Sequence, residues 1–383
     1  MEQANGKCKT DELTAPHSHI PYGEAGSGFY GSKVLDTMPC IEALAPIALE
    51  CVRSYPVTPG SVFTIADYGC ADGGSSMSLI YACVEELRKL HGNELEILIF
   101  YEDQPVNDFT SLFSFLQGLI PGPQTYLTKF PNVYAAACGT QFFAQCFPCG
   151  SIQLGLCCIA VHWLSKMPCS ITGALYHHQA QRPDERELFS RQAAADWEMF
   201  LLMRAKELCA GGSLALIVFA EGDDGQLPGN TTSTKVPFYQ VLYEVWRNMA
   251  ENGVITMDEV NKTTMAVYIR TRKELQLPFT SEESPVRKAG LSLVSLEIKT
   301  FPCPHTKMRQ ETGDVKMAAK SMAEETRAWS NSTFLSGLSD ERTSEEKTMI
   351  VDEFFRRLEA EFVRSPDDYR QELVAAFVKV KKN

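Results

Sequence analysis

The chain has 383 residues, 44% of them hydrophobic and 22% charged, with a formal net charge of −12. That length supports one large α/β domain carrying an insertion, or two domains. The acidic balance, without any cluster of Lys and Arg, argues against a nucleic-acid partner, and no apolar run approaches the ~18 residues of a membrane span.

The polar start MEQANGKCKTDELT does not read as a signal peptide, so a cytoplasmic location is expected. The 13 cysteines are odd in number, and several fall inside apolar runs (Cys83, Cys157, Cys158, Cys209), as reduced, buried thiols do. The Asn-x-Ser/Thr sites at Asn230, Asn261 and Asn331 then carry no sugar. Cys146 and Cys149 form a lone C-x-x-C without a second pair at metal spacing, which is too little for zinc or redox chemistry.

Residues 1–20 lack periodicity and are expected to be a flexible tail. From Val62 to Phe219, β-rich runs alternate with helical stretches, the pattern of a parallel sheet covered by helices. The predicted strands are Val62–Asp67, Leu95–Tyr101, Asn132–Ala137, Ile152–Ala160 and Ser213–Phe219. Met77, Ile80, Tyr81, Val84 and Leu87 recur at helical spacing between the first two. A helix carrying Trp197, Phe200, Leu201, Ala205 and Leu208 precedes the fifth and is expected to stop at Gly211–Gly212. A loop (Glu221–Thr234) then leads to an amphipathic helix over Val236–Asn252. Met265–Arg270 and Leu291–Ile298 read as further strands, and 306–330 and 342–363 as helices. The expected division is an α/β domain over 21–220 and 253–300, with 221–252 and 301–383 forming a mainly helical cap and the C-terminal elements.

The chemistry concentrates in ADYGCADGG (Ala66–Gly74), between a strand and a helix. A glycine-rich turn there lets a ligand approach the backbone, and open α/β sheets bind ligands at the carboxyl ends of their strands. The G-x-G-x-x-G spacing of dinucleotide sites is missing, so a smaller nucleoside suits the turn better. The second strand ends in Tyr101-Glu102-Asp103, placing an acid where ribose hydroxyls can be accepted, while Asp67 can meet an ammonium group. On these residues alone, a helix-capping Asp beside a packing turn explains the pattern equally well.

Further motifs stand in order: EDQPVNDFTSLF (Glu102–Phe113), GTQFFAQCFP (Gly139–Pro148), AVHWLSKMP (Ala160–Pro168), FLLMRAKELCAGGSLAL (Phe200–Leu216) and VYIRTRKELQLPF (Val267–Phe279). With the glycine turn they resemble the SABATH family of carboxyl and N-methyltransferases, from about Gly23 almost to the end. The resemblance implies a Rossmann-like class I methyltransferase sheet with a mostly helical cap, and S-adenosyl-L-methionine as cofactor, released as S-adenosyl-L-homocysteine. It implies that Asp67 meets the methionine part, Asp103 the ribose, Gln104 the adenine edge, and Gln141 with Phe142 its face. Gly69, Ser75, Cys157 and Cys158 would line the cofactor, with Tyr30 closing over it. The matching acceptor positions are Tyr22, Ser32, Ile159, His162, Trp163, Phe238 and Tyr239. A homodimer, and in some members magnesium at a D-x-x-N element matched in spacing by Asp258 and Asn261, are also implied, though a loop cap explains those two residues more simply.

Methyl transfer from a sulfonium is an in-line displacement served by alignment and exclusion of water. A carboxylate acceptor is already ionised at neutral pH and needs only hydrogen-bond donors, for which Trp163 and His162 are the catalytic candidates. The expected activity is methyl-ester formation on a small, aromatic or hydrophobic acid. The alternatives are N- or O-methylation of a heteroaromatic or phenolic molecule, with His162 accepting the proton, or a cofactor-binding protein without turnover.

Overall fold

The computed structural model describes residues 19–383. Its centre is a seven-stranded sheet in the order β3-β2-β1-β4-β5-β7-β6. The strands are β1 Val62–Tyr68, β2 Glu96–Asp103, β3 Val133–Gly139, β4 Ile152–Cys158, β5 Leu208–Phe219, β6 Leu291–Phe301 and β7 Leu373–Lys382. The first five run parallel, and β7 lies antiparallel between β5 and β6. Strand order reverses between β1 and β4, which opens a crevice at their carboxyl ends.

Six of the seven β1 positions are buried, as expected of a parallel strand covered on both faces. Phe63 and Ile65 face helices α2 (Met38–Ser54), α3 (Met77–His91) and α4 (Phe109–Leu116), which follow the short α1 (Phe29–Lys33). Ala66 and Tyr68 face α5 (Pro183–Glu207) through Trp197, Phe200 and Leu201. Beyond β5 come α6 (Phe238–Glu251), α7 (Met257–Lys262), α8 (Arg272–Gln276) and α9 (Pro285–Lys288). After β6 follow α10 (Pro304–Thr312), α11 (Val315–Gly337) and α12 (Ser344–Arg364). Helices α6, α7, α11 and α12 pack on one another around Trp246, Phe334 and Phe354; the rings of the last two lie 4.0 Å apart. Trp246 Nε1 donates to Thr263 Oγ1 at 3.0 Å, giving this buried indole its partner.

Four expectations are corrected. Residues 373–382, expected among the cap and C-terminal elements, form β7, whose first eight positions are buried. The lysines of LVAAFVKVKK mask a core strand; Lys379 runs its stem through the interior and ends on Glu50 at 2.8 Å. Met265–Arg270 is not a strand of the sheet. It lies past the carboxyl ends of β4 and β5, meeting the segments that follow them through the single bridges Trp163–Val267 and Ala220–Arg270. The buried Arg270 guanidinium pins it, donating to Val161 O and Ala193 O at 2.9 Å each. Gly211–Gly212 does not end the helix: α5 stops at Glu207, β5 begins at once, and the glycines sit where its register against β4 shifts. Of the expected tail, residues 1–18 lie outside the described residues, but His19 and Ile20 are packed. Ile20 N–H donates to Ser332 Oγ at 2.9 Å, and His19 Nδ1 lies 3.1 Å from Trp329 O.

Candidate functional site

After β1 the chain turns sharply through Gly69, whose φ of +76° suits glycine and whose Cβ, if present, would lie 2.4 Å from that of Ala160. Ala71 also takes a left-handed conformation, with φ of +49°. The end of β2 holds this turn. Ala71 N–H donates to Asp103 Oδ2 at 2.7 Å, Gly69 N–H to Glu102 Oε2 at 3.2 Å, and Asn107 Nδ2 to Ala71 O at 2.7 Å. Asp108 caps α4 by accepting from Ser111 N–H, and it also accepts from Gly26 N–H at 3.0 Å. Asp72 accepts from Gly31 N–H at 2.7 Å, so the N-terminal segment with Tyr30 is tied across the turn.

The cleft framed in this way encloses about 770 Å³. Gly69, Ser75, Asp103, Gln104, Gln141 and Phe142 line it, as do Tyr30, Cys158 and Ile159, and no Lys or Arg among the described residues does. Asp67 lies beneath, 1% exposed; its Oδ2 accepts from Ser76 Oγ–H at 2.6 Å while Oδ1 has no partner among the described residues. Burial pushes the Asp67 carboxyl up to about 7, against the Ser76 hydrogen bond and with help from Asp103. Burial likewise lifts Asp103 to about 6, opposed by the backbone N–H groups of Ala71 and Gln104. Glu102 is raised further, by burial and then by the Asp103 charge. Adjacent carboxylates in a cleft whose one basic side chain among the described residues, His19, is held uncharged suit a cationic ligand.

A second cavity of about 590 Å³ adjoins the first and shares the walls Tyr30, Thr37, Ile159 and Trp163. Its surface is largely apolar and aromatic, including Phe219, Phe238, Tyr239 and Met265. Ile159, at the junction, adopts φ of +64°, a strained conformation for a β-branched residue, and its N–H donates to Ile217 O at 3.1 Å. His162 reaches the second cavity with Nδ1 unpartnered. Burial, the neighbouring His19 and Arg270 hold its pKa well below the usual range, so the ring is neutral. Trp163 borders both cavities, its ring stacked on His19 at 4.0 Å and 14°. Burial lowers His19 to about 4, so this stack too is uncharged.

Several predicted site residues lie elsewhere. Tyr22 packs edge-on to Phe29 and beneath the Arg327 guanidinium, 4.1 Å away, outside both cavities. The Ser32 hydroxyl turns back to Phe29 O at 2.8 Å on an exposed face of α1. Cys157 points into the opposite core, because successive residues of a strand face opposite sides, and only its neighbour Cys158 lines the cleft. Asp258 and Asn261 sit exposed on α7, with Asp258 paired to Lys262 at 2.7 Å and, among the described residues, no cluster of acids, His or Cys converging on them.

Sequence reasoning missed His19, Thr37 and Trp329, and it missed Asp36 and Gln371 on the second cavity. Thr37 opens α2 as its N-cap residue, a signal that could have drawn attention to it. The others carry no local pattern.

Residues 36–383 match the family described as SAM dependent carboxyl methyltransferase. Gibberellic acid methyltransferase 1 of Arabidopsis thaliana is 27% identical over 250 residues, 60% of this chain and 65% of its own length. Indole-3-acetate O-methyltransferase 1 of Oryza sativa subsp. japonica is 25% identical, over 56% of this chain and 58% of its own. Probable caffeine synthase 2 of Camellia sinensis is also 25% identical, over 63% and 66%. The chain therefore spans about two thirds or less of the length of these curated relatives. Among solved structures, loganic acid methyltransferase with SAH superposes with a TM-score of 0.70 at 18% identity, covering 95% of this chain and 98% of the other. The latter likeness concerns the fold.

Proposed function

The chain belongs to the SAM-dependent carboxyl methyltransferase family, and from that premise we propose that it methylates the carboxylate of a small, aromatic or hydrophobic acid. The observation that carries this reading is the pair of adjoining cavities, one acidic and lined by no Lys or Arg among the described residues, the other largely apolar, meeting at Ile159 and Trp163. The residues fit S-adenosylmethionine: Asp67 offers an unpartnered buried oxygen to its ammonium, and Asp103 keeps lone pairs for the ribose hydroxyls. Gln104 would meet the adenine edge and Gln141 with Phe142 its face, while Tyr30 closes from the N-terminal segment. When bound, the cofactor supplies an electrophilic methyl group on a sulfonium.

The acceptor side works with neutral donors. Trp163 Nε1 has no hydrogen-bond partner among the described residues, and His162 is uncharged. Neutral donors orient a carboxylate without the strong ion pair that would blunt its nucleophilicity, and the apolar walls strip its water. The same lowered pKa makes His162 a weak base, which favours an acid over an acceptor that must lose a proton. N-methylation, suggested by the caffeine-synthase relative, is the second reading. The deciding experiment incubates the protein with S-adenosylmethionine and pooled acids and seeks products one CH₂ heavier. Esters cleaved by mild alkali support the proposal; alkali-stable products, or none, refute it.

Asp103→Ala should weaken cofactor binding by about 1.5–3 kcal/mol, the scale of charge-assisted hydrogen bonds, because the turn at Ala71 loses its anchor as well. Calorimetry measures it, and unchanged affinity would remove Asp103 from the site. Binding should also depend on pH. With Asp67 near 7 and Asp103 near 6, both raised, the free protein holds protons that a cation must expel. Affinity should therefore rise with pH between about 5.5 and 7.5 and level off above, with proton release detectable in buffers of different ionisation enthalpy. The same raised values cost folding stability as pH climbs from about 4 through 7, once the unfolded carboxyls ionise freely. A flat affinity profile would refute the ionic contact.

A cytoplasmic homodimer completes the proposal. The twelve cysteines among the described residues are all free, which suits a reducing compartment, and sedimentation velocity tests the dimer.

A further inference from the structure

The second cavity has a polar wall away from the methyl donor. Asp36, between α1 and α2, and Gln371, before β7, border this cavity but not the cofactor cleft, and both are almost fully buried. Gln371 Nε2 donates to Asp36 Oδ2 at 2.7 Å. The Glu325 carboxylate on α11 accepts from Asp36 N–H at 2.8 Å and pairs with His305 Nε2 on α10. Burial, together with the Glu325 charge, keeps the Asp36 carboxyl well above the usual range, so the pair holds a proton at neutral pH. His305 is kept neutral by burial, and no Lys or Arg among the described residues lines the cavity.

With its NH₂ turned to Asp36, the Gln371 amide presents Oε1 as a buried acceptor without a partner among the described residues. Such a group bears the full penalty of an unmade hydrogen bond when a ligand fills the cavity without donating to it. Around it the cavity is apolar, with Val34, Phe238 and Leu373. We propose that Gln371 sets acceptor specificity, and that the acceptor carries a hydroxyl or N–H group, on the part away from its methylated carboxylate, that donates to Gln371 Oε1. Asp36, Glu325 and His305 are positioning residues acting through Gln371. The inference rests on the acid-methylating reading and narrows it to acids bearing a hydrogen-bond donor.

The test uses matched probes: 4-hydroxyphenylacetate against 4-methylphenylacetate, 4-hydroxycinnamate against 4-methylcinnamate, and indole-3-acetate against its N-methyl derivative. Their binding to the protein saturated with S-adenosylhomocysteine is measured by calorimetry, so turnover is not required. At least one donor-bearing acid should bind on the order of 10–100-fold more tightly than its methylated partner. In Gln371→Met that preference should collapse, with weaker binding of the donor-bearing acid, tighter binding of its partner, and unchanged affinity for S-adenosylhomocysteine. Equal binding within every pair in the wild-type protein, no binding by any donor-bearing probe, or a preference that survives Gln371→Met overturns the inference. Esterification without discrimination sinks it alone; discrimination without ester product sinks the acid-methylating reading and leaves Gln371 standing.

Discussion

Arg204→Met is expected to lose about 3–5 kcal/mol of stability, the range for a buried ion pair that loses one partner. Both Arg204 and Glu207 are fully buried, 2.8 Å apart on the last turn of α5. Glu207 accepts from Tyr68 Oη–H at 2.6 Å and from the backbone N–H groups of Cys146 and Phe147. Arg204 donates to Phe142 O and Ala144 O at 2.7 and 2.8 Å and lies 4.2 Å from the Tyr68 ring centre. The pair thus clamps β1 and the Gln141–Phe147 loop to α5. Methionine fills the volume but leaves an unpaired carboxylate in a dry core and frees the loop presenting Gln141 and Phe142. Urea unfolding measures the loss, and cofactor affinity should fall with it. Adding Glu207→Gln should restore part of the stability, because it removes the stranded charge while keeping an acceptor for the backbone N–H groups. A loss below about 1 kcal/mol in the single variant would mean that the clamp does not hold the loop.

What the chain shows of this in advance follows the reach of each interaction. The crevice was legible because its parts are local: a strand, a glycine turn and a helix are contiguous in Ala66–His91, and Asp103 closes the next strand. Long-range pairing was not legible. β7 lies between β5 and β6 although about 150 residues separate it from β5, and its lysines hide a strand buried over eight positions. The apolar run in Met265–Arg270 reported burial correctly but not its source, a segment lying past the strand ends and held by Arg270. On the acceptor side, the family positions of Tyr22 and Ser32 fall on residues committed to Arg327 and to the α1 backbone. The positions that line the cavity instead, Asp36 and Gln371, are 335 residues apart in sequence, and no periodicity joins them.

Trp163→Ala should reduce kcat by about 10²–10³-fold while leaving cofactor affinity close to wild type, the scale on which enzymes lose rate when one donor to the reacting oxygens is removed. The division follows from geometry. Trp163 borders both cavities, but the cofactor cleft keeps Asp103, Gln104, Gln141 and Phe142 without it. The acceptor cavity loses an indole N–H and the ring on which His19 stacks, so the acceptor gains room to tilt out of line and water gains access. Trp163→Phe separates the two contributions. If the N–H orients the carboxylate, Phe should fall nearly as far as Ala; if the ring only shapes the wall and supports His19, Phe should keep most of the rate. His162 gives an internal control, because it lies 5.4 Å from Trp163 ring to ring and is held neutral. His162→Asn preserves a neutral donor and should cost less than Trp163→Ala. Full activity in Trp163→Ala would move the acceptor away from the junction at Ile159, and a matched fall in cofactor affinity would assign Trp163 to the cofactor cleft instead.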